Sequence, residues 1–105
     1  GSMTTYLITR HPGALQWAQE EGLAVDHQLE QLAPECVQSG DHVIGTLPVH
    51  LAAAVCERGG RYFHLTLDIP PQLRGRELSS ADMRTCDARL EEYRVERSSL
   101  GNSVT

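Results

Sequence analysis

Two hydrophobic periods take turns along this chain. Residues 4–9, Thr-Thr-Tyr-Leu-Ile-Thr, form a β-rich run. After Arg10-His11-Pro12-Gly13 the apolar positions Ala14, Trp17 and Ala18 take helical spacing over about 13–21. Pro12 suits the first turn of that helix and Gly22 its end. Residues 24–32 fit two readings. Val25, His27 and Leu29 alternate with Asp26, Gln28 and Glu30 as in a half-exposed edge strand, and a short helix competes.

Pro34–Gly40 reads as a loop, and Asp41–Leu47 holds the apolar run Val43-Ile44-Gly45, short enough for a buried parallel strand. Pro48–Arg58 returns to helical spacing, with Leu51, Ala52, Val55 and Cys56 inward and Gly59-Gly60 as the stop. Alternation is sharpest over Arg61–Ile69. There Tyr62, His64, Thr66 and Asp68 point one way and Phe63, Leu65, Leu67 and Ile69 the other. Pro70-Pro71 breaks the chain before a loop, 72–77, that carries Arg74 and Arg76. The last predicted helix has Ser79 capping the N–H of Asp82 and a staple of Leu78 with Met83. Its apolar stripe continues through Cys86, Leu90 and Tyr93. From Ser98 onward the residues are small and polar, and the tail 98–105 is expected to be disordered.

Strands separated by helices predict an α/β fold. The expectation is a small Rossmann-like domain, its mainly parallel sheet of about four strands flanked by about three helices. One domain spans 3–97, since 105 residues leave no room for a second. Gly1-Ser2 before Met3 reads as a cleavage scar of expression. A chain of this size buries only about two-thirds of its surface, so a dimer interface would add stability.

Composition narrows the classes. The residues are 40% hydrophobic and 22% charged, as in a globular protein. No window approaches the roughly 18 apolar residues of a membrane span, and no basic and apolar leader follows Met3, so the cytoplasm is the expected compartment. A net charge of -5 argues against a general binder of duplex nucleic acid. All nine basic residues are Arg, a bias that a GC-rich genome could also produce. Any bound anion must therefore meet guanidinium forks, backbone N–H groups or His. Cys36, Cys56 and Cys86 form no CxxC pair or zinc spacing and read as buried thiols. No cofactor is implied, and the His and carboxylates lack metal-ligand spacing.

Ligands of open parallel sheets bind beyond the carboxyl ends of the strands. That rule gathers Thr9, Arg10 and His11 after the first strand, and Gly45, Thr46, Leu47 and Pro48 after the central one. Asp68 follows the last, with Arg74 and Arg76 in the loop beyond. Gly45 would let backbone approach an anion, Thr46 would offer a hydroxyl and the helix opening at Pro48 would offer free N–H groups. The same turn could be a tight connection in which Thr46 only caps. Arg10-His11 is the sharpest pair, since a strand end just before a helix start is a poor place for a cation unless an anion comes there, and His11 suits proton transfer. Alternatively Arg10 pairs with Asp68 and His11 caps the helix. His50 could face ligand or solvent, and the Arg74–Arg76 loop could clamp a polyanion or be solvated. His27, His42 and His64 have no spacing that recommends them.

Thr-Tyr-Leu-Ile-Thr-Arg-His-Pro-Gly-Ala near the start, Gly-Asp-His-Val-Ile-Gly-Thr-Leu-Pro-Val in the middle, and His-Leu-Thr-Leu-Asp-Ile-Pro with Leu-Arg-Gly-Arg-Glu-Leu-Ser later resemble a small accessory family of type III CRISPR loci. The resemblance runs from Met3 to about Tyr93. It implies a CRISPR-associated Rossmann-like fold, a homodimer, and a ring nuclease that opens cyclic tetra-adenylate and so switches off antiviral signalling. A ring with a twofold axis matches an isologous dimer, and arginines focused in a cleft can hold it within an acidic protein. The expected reaction needs no metal: a ribose 2′-OH attacks phosphorus and leaves a 2′,3′-cyclic phosphate. On this reading Arg10 and His11 are catalytic. Thr9, Gly45, Thr46, Leu47, Pro48, His50, Asp68, Arg74 and Arg76 hold the substrate. A sponge that sequesters cyclic oligoadenylate without cutting it, and an adaptor that ignores the cleft, are the competing readings.

Overall fold

The computed structural model describes residues 3–98, so Gly1-Ser2 and all of the expected tail beyond Ser98 lie outside the described residues. In chain order the elements are β1 (Thr5–Ile8), α1 (Pro12–Glu20), β2 (His27–Leu29), β3 (His42–Gly45), α2 (Val49–Glu57), β4 (Arg61–Thr66), α3 (Ser80–Thr85) and β5 (Arg89–Tyr93). Single 3-10 turns cover Pro34–Cys36 and Pro71–Leu73. The five strands form one sheet in the order β2-β1-β3-β4-β5. β1 to β4 are parallel to one another and β5 runs antiparallel to β4. This is a small Rossmann-like α/β fold. Of the two readings of 24–32, the edge strand is the one formed, with His27 to Leu29 exposed along β1.

Because neighbouring residues of a strand face opposite sides, the sheet has two apolar faces to cover. Leu7, Ile44 and Leu65 pack against Ala14, Trp17 and Ala18 of α1 and against Leu78 and Met83 at α3. Ile8, Val43 and Tyr62 pack against Ala52 and Val55 of α2, with Leu32 and Val37 beside them. Burying a side chain such as Leu7 or Met83 contributes about 1.5–3 kcal/mol. Cys86 is buried and Cys56 half-buried, but Cys36 is exposed, a correction to the expectation of buried thiols. Cys36 closes a surface 3-10 turn none of whose residues is buried. No helix among the described residues is long and apolar enough to cross a membrane.

All three helices stop in the same way. After α1 the N–H of Leu23 bonds Ala18 O and that of Gly22 bonds Gln19 O, with Gly22 at φ 79. After α2 Gly60 bonds Val55 O and Gly59 bonds Cys56 O, with Gly59 at φ 84. After α3 the same pair runs from Ala88 to Met83 O and from Asp87 to Arg84 O, but the left-handed residue is Asp87, at φ 56. These are Schellman motifs, which usually place glycine at that position.

Sequence spacing carries the last helix through Leu90 to Tyr93; the chain instead leaves the helix at Thr85 and returns as β5. No glycine announces the stop, and the apolar stripe happens to continue into a strand. Arg61 of β4 holds Glu92 of β5 through two bonds of 2.8 Å, fastening the added strand. The predicted entry to α3 is present: Ser79 Oγ accepts from the Asp82 N–H, and Asp82 returns the bond by accepting from the Ser79 N–H. That N–H, then the Ser79 hydroxyl and after it the Arg76 guanidinium, hold the Asp82 carboxyl below its ordinary value.

Left-handed φ costs a residue with a Cβ about 1–2 kcal/mol, with Asp among the better-tolerated exceptions. Asp87→Val should therefore lower stability by about 1–2 kcal/mol, whereas Asp87→Gly should leave it unchanged or raise it. Urea unfolding midpoints of the two variants check this.

Candidate functional site

In a 2-1-3-4-5 sheet the order reverses between β1 and β3, and crevices open at that switch point, beyond the carboxyl ends. The chain leaves β1 through Thr9-Arg10-His11 and β3 through Thr46-Leu47-Pro48, and both turns line a cavity of about 720 Å³. A second cavity of about 600 Å³ shares Arg10 and His11 and adds Arg74 and Arg76.

Gly13 explains how the 74–78 loop reaches Arg10. The first turn of α1 lies directly on the backbone of Leu78 and Ser79, and a Cβ on Gly13 would overlap the Leu78 carbonyl oxygen. That contact brings the Leu78 N–H to His11 Nδ1, which accepts at 3.4 Å. The His11 ring proton therefore sits on Nε2 when the ring is neutral. His11 is the N-cap residue of α1 but its side chain makes no cap bond. Thr9 Oγ1 accepts from the His11 N–H at 3.0 Å and tightens the turn.

Arg10 differs from every other arginine. Arg61, Arg76, Arg84, Arg89, Arg94 and Arg97 are paired with carboxylates. Arg58 donates to the carbonyls of Val37 and Glu35, and Arg74 to that of Ile69. Among the described residues the exposed Arg10 guanidinium has no such partner. Asp68 does not neutralise it: its carboxylate meets Arg89 at 3.1 Å, and it lines neither cavity. Regular β4 ends at Thr66, and the Asp68 N–H turns to Cys86 O, which carries Asp68 away from the crevice.

The turn after β3 is more committed than its sequence suggests. The Thr46 hydroxyl donates to Leu65 O at 3.3 Å, and the Leu47 N–H donates to the Tyr62 hydroxyl at 3.0 Å. Thr46, Leu47 and Pro48 line the larger cavity, but these two donors are already engaged. Gly45 is buried, and a Cβ there would come within 2.7 Å of Ile8 O, so its close approach is to β1. His50 is exposed and lines neither cavity. Arg76 is tied to Asp82 at 3.5 Å, which anchors the basic loop to the start of α3.

Sequence spacing passes over Tyr62, His64, Thr66 and Glu30. The Tyr62 hydroxyl lies 2.6 Å from His64 Nδ1 and 3.2 Å from Gly45 O. Burial pushes the Tyr62 phenol above its usual value, so it stays protonated near neutral pH. His64, Thr66 and Glu30 line the larger cavity. Period-two alternation in β4 already sets Tyr62, His64 and Thr66 on one face, and the carboxyl-end rule would have placed the last of them at the crevice. No group of three or more His, Cys, Asp or Glu placed to hold a metal ion occurs among the described residues.

Fold and cleft together define an α/β protein with an Arg- and His-lined crevice at its topological switch point. Residues 6–96 match the family described as "Putative CRISPR-associated protein (Cas_VVA1548)", and the chain belongs to that family. Comparison with curated proteins and with solved structures gave no match.

If the Gly13 contact seats the basic loop, Gly13→Ala must displace backbone. A loss of about 1–3 kcal/mol in unfolding free energy, typical of overpacking, is expected. Amide exchange over 74–78 should accelerate in the same variant.

Proposed function

We propose that this protein is a metal-independent ring nuclease that binds cyclic tetra-adenylate and opens it to linear products with 2′,3′-cyclic phosphate ends. Membership of a CRISPR-associated family supports the context, and the sequence resemblance supports the activity. The observation that carries the reading is Arg10: a cation without a partner among the described residues, at a switch-point crevice beside His11, is poised for an anion. A homodimer would set two such half-sites around a twofold ring.

The reaction is an in-line displacement. O2′ of one ribose attacks the adjacent phosphorus, negative charge grows on the phosphoryl oxygens, and O5′ leaves. Arg10 stabilises the growing charge, and a guanidinium fork suits two phosphoryl oxygens at once. His11 presents Nε2–H to the same phosphate while Leu78 holds its other nitrogen. Arg74 and Arg76 bring further positive charge from the side of the 600 Å³ cavity. Orientation of O2′ in line with O5′ contributes within the roughly 7–11 kcal/mol available to ideal positioning.

Protein at substoichiometric concentration in EDTA should convert cyclic tetra-adenylate over many turnovers, read by mass spectrometry of the products. Arg10→Ala should slow single-turnover cleavage by about 10²–10³-fold. A large ligand-induced melting shift without product would make the protein a sponge. Neither shift nor product would sink both readings.

A further inference from the structure

We propose that His64 is the general base of this cleft and that the buried Tyr62 hydroxyl is the group that aims it; the proposal rests on the ring-nuclease reading. Three groups meet at the Tyr62 oxygen. The Leu47 N–H, at 3.0 Å, can only donate, and the Gly45 carbonyl, at 3.2 Å, can only accept. His64 Nδ1, at 2.6 Å, can do either. A phenol has one hydrogen to give and two lone pairs to receive. All three contacts are satisfied together only when the hydroxyl donates to Gly45 O and accepts from Leu47 N–H and from His64 Nδ1–H. In the opposite tautomer Gly45 O and Nδ1 would compete for a single hydrogen.

With its proton on Nδ1, neutral His64 carries a lone pair on Nε2. Among the described residues no hydrogen bond engages that nitrogen, and His64 lines the 720 Å³ cavity together with Arg10 and His11. His11 is set the other way, with Nδ1 accepting from Leu78 and the proton on Nε2. The cleft therefore offers one imidazole lone pair and one imidazole N–H. A reaction that takes a proton from O2′ while charge builds on a phosphate can use both. Tyr62 is a positioning residue: 3% exposed, and packed beneath α2, it cannot reach substrate.

The step balances without a further reactant. His64 Nε2 takes the O2′ proton as the O2′–P bond forms. The P–O5′ bond breaks and O5′ takes a proton from solvent, while the His64 imidazolium returns its proton to solvent. The product is an isomer of the ring.

Few charged groups face His64. β5 brings the Tyr93 ring edge-on at 5.9 Å and Glu91 in register, the Glu91 carboxylate accepting from the Thr66 hydroxyl at 2.5 Å. β3 brings Gly45, which does not titrate, and Arg10, His11 and Glu30 line the rest of the cavity. A general base is lost once it is protonated, so a reaction that depends on one slows in acid.

Single-turnover cleavage of cyclic tetra-adenylate should be followed against pH for the parent, His64→Gln, His11→Ala and Tyr62→Phe, with melting shifts reporting ligand binding. His64→Gln should still show the shift, cleave about 10²-fold more slowly or worse, and lose the acid limb. His11→Ala should be slow but keep that limb. Tyr62→Phe, which retains the ring in the core, should slow cleavage by roughly tenfold and displace the limb. Parental rate and limb in His64→Gln would overturn the base role, as would loss of the melting shift, which would make His64 a ligand-holding group. An unchanged pH profile in Tyr62→Phe would overturn the positioning role even if His64→Gln failed to fold. A parent that leaves the ring intact would overturn the ring-nuclease reading itself, a result visible before any variant is compared.

Discussion

Gly45 lies against the Ile8 carbonyl, where an added Cβ would come within 2.7 Å of the oxygen. β1 and β3 run side by side there, and the chain leaves them in turns that line one cavity. The crevice depends on that approach. Tyr62 completes the arrangement by binding both Gly45 O and Leu47 N–H, so one buried hydroxyl fixes the strand end, the following turn and a histidine at the cleft. A second close approach, Gly13 on Leu78, does the same for the basic loop.

Electrostatics within the cleft run against the chain as a whole. Net charge is -5, yet three arginines gather at one edge. Elsewhere most arginines are spent on carboxylates or carbonyls, several of them fastening strand to strand or helix to helix. Arg61 holds β5 to β4, and Arg84 joins α3 to Glu20 of α1. Such exposed pairs contribute little each. Their greater consequence is that Arg10, among the described residues, is the arginine left with neither a carboxylate nor a carbonyl partner.

Local chemistry made most of the fold legible in the sequence. Pro12, Gly22 and Gly59 marked helix ends because each conformation favours that residue, and alternation marked β4 because the sheet has two faces. β5 escaped because Asp87 takes the left-handed position that glycine holds after α1 and α2, while Leu90 and Tyr93 kept helical spacing by coincidence. At the site, Arg10, His11 and the 74–76 loop followed from the carboxyl-end rule. Asp68 did not, because the Arg89 that binds it belongs to the unforeseen strand. His64 was invisible for a related reason. Its distinction is a tertiary hydrogen bond to Tyr62, and spacing along one strand says nothing about where a hydroxyl finds its other partners.

On the proposed reading, one cleft, built on the β1–β3 switch point, receives the phosphates of a cyclic tetra-adenylate between two copies of the chain. A crystal structure with the ring methylated at every O2′, so that no nucleophile remains, tests it most directly. The ring should lie on a twofold axis between two protomers, with a phosphate on the Arg10 guanidinium and a blocked O2′ facing His64. A ring bound away from Arg10, or held by one protomer alone, would contradict it.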